Sequence, residues 1–587
     1  MSDEFRQGIK AFIKDKAVIV VQFVAQSRPV RWIAGSRAFC YTARMFSLLR
    51  HLYIERILLP GKQLMHRIRK YLSQYEVWFW GITWLFSAVL GLAIITAIPL
   101  KIMVAVLGVI FCVLVMWRLE IGIIAVMVLT ASIIHPDVVP RPVTLGGLGP
   151  RATELLIFLM LVIVFIKSCV IRRLDYFKSP ITPPLLFLCM AVLISMIVSY
   201  RSNIGYGRWY WSFHEVYNSV RSMFLYLLFF PVAFGIQTPR QLNFVVRAMI
   251  WIAVIVGLLM IAQQFVGSSG KALFIGGKET GSYVLSLSAD LPEEVAGGIV
   301  RFAAPGLALI LVLLLVTMTH VAYTGFRKSV VYAIAAIIMG SGLILSFTRH
   351  FWISTSFSVV IISVLVTPQV RRRLLAFALS AVVVAVIGTV LLGSLAPGAS
   401  GKKFTTALAT RFKSILSPGE TFRTQSLQTR FGENKLAIQE IKQHPIFGIG
   451  AGNPIKFETY TRPQKYTQYI YPVFWMHNSY LELWMVYGLL GFISFIWISV
   501  VFLVRSFLIF KRARDPAWQS LAIALFAWYI GFLERCLTQM HIVHDDHYIV
   551  TVALMWGVIE AMWRMHNYSQ KEAVGSPATG AAEAVLV

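Results

Sequence analysis

The sequence predicts an all-α polytopic membrane protein with about 12–14 transmembrane helices and one long outward-facing loop containing short helices. Three observations predict this. Mean hydropathy is +0.72, and 58% of the residues are hydrophobic, too apolar for a water-soluble globule. Apolar runs long enough to cross a bilayer, roughly 17–25 residues, recur along most of the chain. Lys and Arg collect in the short gaps between alternate runs, the pattern that fixes orientation in a membrane. Helices are the economical spanning element because they satisfy their own backbone polar groups in lipid.

Residues 1–76 carry fourteen Lys/Arg against five Asp/Glu and hold no uninterrupted span. Arg28, Pro29 and Arg31 break the stretch Ala17–Gly35, so the segment reads as a basic cytoplasmic or interfacial extension. It lacks the n-region, h-region and cleavage site of a signal peptide. Residues 77–394 are assigned to transmembrane helices 1–11, with apolar runs at 78–98, 102–117, 121–134, 153–168, 183–200, 221–236, 244–266, 303–323, 329–347, 351–367 and 374–394. Residues 395–476 form the long loop. Residues 477–565 hold helices 12–14, at 477–504, 517–537 and 548–564, and 566–587 read as a disordered cytoplasmic tail. Lys167/Arg172/Arg173, Arg240, Arg327/Lys328, Arg371–Arg373 and Lys511/Arg512/Arg514 all fall on one side, which the positive-inside rule makes the cytoplasm. The long loop and His477 then face outward. The net charge of +28 therefore reads as topology plus attraction to anionic lipid, and no nucleic-acid-binding motif accompanies it. Five scattered cysteines (Cys40, Cys112, Cys169, Cys189, Cys536) suggest neither a disulfide framework nor a metal site.

The outer side receives the groups capable of chemistry. In Tyr471–Phe492 a polar segment passes through His477-Asn478 and becomes apolar without a break. An imidazole at that boundary can hold or move a proton at neutral pH, and Asn478 can orient it or cap the helix that follows. Gly488 and Gly491 are expected to thin that helix so that another can approach. The long loop holds eleven Lys/Arg against four Glu; a basic surface for an anionic substrate and tolerated drift in a long loop both fit. Arg430–Gln443 reads as a short helix ending before His444-Pro445. The following PIFGIGAGN reads as a plain turn, with a backbone anion nest as the alternative. Arg301, expected to begin a span, and Arg349, expected to close one, fall at outer helix ends. Such arginines either snorkel to the interface or form paired forks for a diphosphate. The last outer loop, QMHIVHDDHY (Gln539–Tyr548), contains His541, His544, Asp545, Asp546 and His547, a metal cluster by composition alone. The preferred reading gives Asp545 or Asp546 a salt bridge to an arginine or contact with His477. Arg208–Trp211, with His214 and Glu215, fits a sugar-stacking platform and an interfacial aromatic belt equally well.

The order of Arg301 in VRFAAPG, Arg349 in SFTRHFW, HPIFGIGAGN, and HNSYLELWMVYGLLG resembles the O-antigen ligase/polymerase superfamily. The resemblance covers roughly residues 150–565 and is strongest in the second half. It implies a metal-independent, inverting glycosyltransferase of the GT-C type in the bacterial inner membrane, using no cofactor. The implied donor is a glycan on undecaprenyl diphosphate, presented at the periplasmic face. The implied acceptor is a hydroxyl of a glycan or lipid-linked glycan, and membrane lipids and polysaccharide-assembly proteins are the remaining partner classes. His477 matches the family's catalytic histidine, and Arg301 and Arg349 match its diphosphate-binding arginines. Asn478, Arg430, Asp545 and Asp546 complete the candidate binding set. Trp475 stands where many ligases carry a second His, and Ala303-Ala304-Pro305-Gly306 departs from the usual pattern after the first arginine. The missing second His and the N-terminal extension, atypical of the family, favour a surface-polysaccharide (O-antigen or exopolysaccharide) polymerase over a ligase to lipid A core. A lipid-linked oligosaccharide flippase is the rival of another class, but the internal repeats and broken midplane helices of a transporter are not evident.

Overall fold

The computed structural model describes residues 100–131, 133, 151–171, 179–204, 209–266, 284–286, 300–302, 304, 306–395, 401–416, 425–453, 455–459, 469–473 and 476–575. The chain divides into two compact units, Met1–Val109 and Ile110–Val587. The extension 1–76, the predicted run at 78–98 and the tail beyond 575 lie outside the described residues.

The first helices are α1 (Leu100–Trp117), α2 (Leu119–Thr130), α3 (Ala152–Ile171), α4 (Thr182–Ile204), α5 (Trp209–Phe224), α6 (Phe229–Gly235) and α7 (Pro239–Val266). A small hairpin, β1 (Val284–Ser286) with β2 (Val300–Phe302), precedes α8 (Leu307–Thr324), α9 (Val330–Leu345), α10 (Arg349–Leu365) and α11 (Pro368–Leu395). The long loop folds as α12 (Gly401–Leu416), α13 (Gln425–Gln443) and a second antiparallel hairpin, β3 (Ile455–Thr459) with β4 (Tyr469–Val473). It leads into α14 (Ser479–Arg512), α15 (Pro516–Arg535) and α16 (Asp546–Gly575). Helices dominate, and seven helical segments among the described residues are long and apolar enough to cross a membrane. Four further apolar helices are shorter. This is the all-α polytopic membrane architecture expected from the sequence, and the β3–β4 hairpin is an addition to it.

Local chemistry explains several boundaries. The run expected at 221–236 is interrupted by a 3-10 turn, Leu225–Leu228, because Pro231 has no N–H to return to the carbonyl of Leu227. Asp515 caps α15 through the N–H of Ala517, with Pro516 supplying the first helical residue. At the other end of the chain α16 continues to Gly575, past the expected boundary at 566.

The core is formed around α8 and the first part of α16. Every side chain from Leu307 to Val316 is buried, as are Val550 and the residues from Val552 to Met562 that are apolar. Tyr226 stacks on Trp556 with ring centroids 5.2 Å apart. On the outside of the bundle, Leu379, Val382, Ile387 and Leu391 of α11 and Leu193 and Ile197 of α4 are exposed, as a lipid-facing surface requires.

Helix direction alternates so that the starts of α3, α8, α10, α14 and α16 meet the ends of α2, α9 and α15 at one end of the bundle. Contacts across that end confirm it: His547 at the start of α16 reaches the Thr130 carbonyl at the end of α2 (2.6 Å). The N–H of Ser479 reaches the Cys536 carbonyl (2.9 Å). Arg327, Lys328, Arg371–Arg373, Lys511 and Arg512 fall at the opposite helix ends.

Candidate functional site

His477 sits one residue before the cap of α14. Asn478 has extended backbone geometry, and its side-chain oxygen accepts from the N–H groups of Tyr480 and Leu481, so of its two expected roles the structure shows the cap. The turn before the helix is pinned from two sides. Glu482, fully buried, accepts the Met476 N–H (3.3 Å) and lies 3.0 Å from Nε2 of His544. Glu433 of α13 accepts the His477 N–H through Oε2 (3.1 Å) and meets Nδ1 of the same residue at 3.1 Å and 2.9 Å with its two oxygens. Ser479 ties this turn to the next loop, donating to the Gln539 carbonyl (2.5 Å) and accepting the His541 N–H (2.9 Å).

Helix α13 reaches this level because a second device holds its far end. Gly488 breaks α14 nine residues after its start, with φ 70° and ψ −173°. Two bonds replace the helical one lost there: Leu489 N–H donates to the Ile446 carbonyl (3.0 Å), and Ile449 N–H donates to the Met485 carbonyl (2.7 Å). Ser195 of α4 donates to the Val486 carbonyl (3.0 Å) and accepts the Ala451 N–H (2.6 Å). The PIFGIGAGN turn is therefore inserted into the break, about 14 Å below the start of α14 at 1.5 Å per residue. Irregular backbone at such depth is tolerated because its polar groups are paired within protein. The expectation of helix thinning at Gly488 is corrected: the residue is a break filled by a turn. A Cβ on it would come within 2.1 Å of the Ile446 carbonyl oxygen. The plain-turn reading of PIFGIGAGN is the one the structure supports, since the N–H groups of Ile449 and Ala451 are consumed by protein partners.

Arg430 lies one turn before Glu433 on α13, half-buried. Burial pushes its guanidinium down from its ordinary value; the Glu433 charge opposes that, and the neighbouring charge of Arg349 adds to it. Its Nε has no hydrogen-bond partner among the described residues. Arg349 is thus brought to Arg430 from a different part of the chain. It was expected to close a helix and instead opens one, α10. The reason is the corner before it. Phe347 takes φ 47°, an unusual conformation for a bulky residue. Thr348 bonds back to the Ser346 carbonyl (2.9 Å), and Trp352 reaches the Leu343 carbonyl (3.0 Å). A cation at the start of a helix opposes the helix dipole, whereas an anion there is favoured. Arg301 lies in β2 opposite Leu285, several residues before α8 begins, and not at the first turn of a span as expected. Its side chain lies outside the described residues.

The loop 536–545 and the start of α16 scatter the suspected metal cluster. His541 meets Asp545 (3.3 Å), His544 meets Glu482, His547 meets the Thr130 carbonyl, and Asp546 takes Arg221 (2.9 Å), Arg151 (3.1 Å) and Ser222 (2.9 Å). No group of three or more His, Cys, Asp or Glu with metal-binding placement occurs among the described residues. Asp546 thus makes the arginine salt bridges expected of this pair, and Glu154 adds a further contact to Arg221 (3.3 Å). Asp545 serves His541. Burial lowers the His541 imidazole below its ordinary value, with the Asp545 bond opposing. For Asp545, burial works upward, but the His541 bond and the imidazole charges nearby leave its carboxyl below the usual range. Arg535, also buried, lies over the rings of Phe351, Phe532 and Tyr548. His214 and Glu215 fall on the first turns of α5, with side chains outside the described residues.

The structure thus joins His477 and Arg430, both singled out in the sequence, through one carboxylate that was not, and brings the Arg349 charge close enough to act on Arg430. Glu433 was hidden in a polar helix, but a signal existed: Glu433, Ala437 and Ile441 form a buried stripe at helical spacing. A carboxylate on such an inward stripe requires a partner.

The class these features define is a multi-pass membrane protein with a guanidinium–carboxylate–imidazole site at one end of its helical bundle. Residues 334–496, which run from α9 into α14 and include Arg349, Arg430, Glu433 and His477, match the model of the family described as O-antigen ligase. That stretch is an O-antigen ligase family domain, and it supports membership of the O-antigen ligase/polymerase superfamily. No curated protein matches the chain.

Proposed function

We propose that the protein is an inner-membrane glycosyltransferase that moves a glycan from a polyprenyl-diphosphate donor, of the undecaprenyl type, to an acceptor hydroxyl at the periplasmic face. The observation that carries this reading is the meeting of Arg349 and Arg430 beside the Glu433–His477 pair. Two neighbouring guanidinium groups at half-buried positions present a cationic face, and a diphosphate suits paired guanidinium forks. The acceptor oxygen attacks C1 of the donor sugar as the C1–O bond to phosphate breaks with its electron pair. The leaving diphosphate takes up negative charge, which Arg349 and Arg430 stabilise in place and without a metal ion. His477 takes the acceptor proton on the opposite face, which inverts the anomeric centre. Arg301, from the resemblance, is assigned to the same diphosphate. Asp546 holds the neighbouring helix ends together through Arg151 and Arg221 and so supports the wall of the site.

The acceptor we favour is a second carrier-linked glycan, making the protein a polymerase; Trp475 in place of a ligase's second His supports this. The test is mass analysis of products formed by the purified protein in liposomes containing the polyprenyl-diphosphate-linked repeat unit. A ladder of repeat units on the carrier, with release of polyprenyl diphosphate, is expected. Transfer only to added lipid A core makes it a ligase, and no transfer to either overturns the enzymatic reading.

A further inference from the structure

We propose that Glu433 is a positioning residue for this reaction, fixing His477 in the tautomer that leaves its basic lone pair on Nε2 and stabilising the imidazolium formed when the acceptor hydroxyl gives up its proton. The inference rests on the function proposed above.

The geometry is specific. The Glu433 side chain is 7% exposed, lies 44 residues before His477 in the chain, and meets it through both the backbone N–H and Nδ1. An ionised carboxylate only accepts hydrogen bonds, so Nδ1 must be the donor, and in a neutral ring the lone pair then resides on Nε2. The proton bookkeeping is closed within the pair. The acceptor O–H bond breaks, its proton passes to Nε2, and the Nδ1–H bond to Glu433 becomes charge-assisted while the carboxylate stays ionised.

A purely structural role is the competing account, since Glu433 also pins the turn through the His477 N–H. Glu482, however, already anchors that turn through Met476 from the opposite side, and a pin does not require an imidazole across two carboxylate oxygens. Arg430, one turn away on the same helix, partly offsets the charge of the buried carboxylate. The carboxylate therefore joins the two halves of the site. It faces the base on one side and the diphosphate clamp on the other.

The test is a mutant cycle on the full-length purified protein in liposomes with the polyprenyl-diphosphate glycan as substrate. Glu433→Gln is expected to lower kcat about 10- to 100-fold, a fraction of a general base's whole contribution, with donor KM within about threefold of wild type. Glu433→Asp, which keeps the charge, is expected to recover part of that loss. In a His477→Ala background Glu433→Gln should change the residual rate by less than about twofold, because residues acting as a unit are not additive. The proposal is overturned if Glu433→Gln matches wild type while His477→Ala is impaired, or if it lowers the rate by the same factor in both backgrounds. Full activity of His477→Ala would instead overturn the base assignment itself, and this inference with it.

Discussion

Arg430 stands half-buried beside Glu433 and within the influence of the Arg349 charge, and its place gives a prediction at the scale of single residues. Arg430→Ala is expected to raise donor KM about 10- to 100-fold, the equivalent of losing one or two hydrogen bonds to a charged group. Arg430→Lys should recover only part of this, because an ammonium supplies charge without the fork. Steady-state kinetics on the lipid-linked donor check both. At this scale the local pattern drew notice to His477 at a polar-to-apolar boundary and to Arg349 at a helix end, but the roles proposed for them came from the family resemblance. Glu433 was not legible as a partner, because its contact is set by the docking of α13 on α14, a relation that no local spacing encodes. Of the two aspartates read as an arginine partner or a contact of His477, Asp546 takes the arginines and Asp545 meets His541. His541 is its own i−4 neighbour across the short loop and reaches it first.

The element that controls the site is the broken helix α14 together with the turn in its gap. Gly488→Ala places a Cβ 2.1 Å from a carbonyl oxygen in a backbone conformation with φ 70°. This positive-φ, extended-ψ backbone is essentially reserved for glycine and costs about 1–3 kcal/mol in another residue, and the clash adds about 1–3 kcal/mol. Thermal unfolding in detergent should therefore show a clear fall in Tm. Activity should fall as well, because α13 carries Glu433 and Arg430 and is anchored by this turn. The glycine spacing was legible in the sequence, but the break was not: its replacement hydrogen bonds come from residues about forty positions earlier. The short loop 536–545 gives a pH prediction. The folded-state value of His541 lies below the ordinary 6.5, so as pH falls through 6.5 the unfolded chain binds a proton that the folded chain refuses. Stability is lost as pH falls, and Asp545 adds to the loss only below about 3.8, where its unfolded form begins to protonate. Melting temperatures between pH 6.5 and 5 should decline, with a shallower slope in His541→Gln.

At the scale of the whole molecule, apolar run length was enough to predict a helical polytopic membrane protein, because lipid imposes it on the sequence. The hairpins and the corner at Phe347 escaped that reading because they are short local features within or beside apolar runs, and the gap at Gly488 escaped it because its bonds come from a distant segment. The proposed orientation is checked by cysteine labelling in intact cells after removal of native cysteines. A cysteine at Gln539 should react with a membrane-impermeant maleimide from outside, and one at Arg372 only after permeabilisation.

The central claim is that the imidazole at the start of α14 accelerates glycosyl transfer. Its most direct test is the turnover of purified His477→Ala on a polyprenyl-diphosphate glycan, measured against wild type at saturating donor. The account predicts a loss of about a hundred- to ten-thousand-fold with donor KM little changed. Turnover equal to wild type in the folded variant would contradict it.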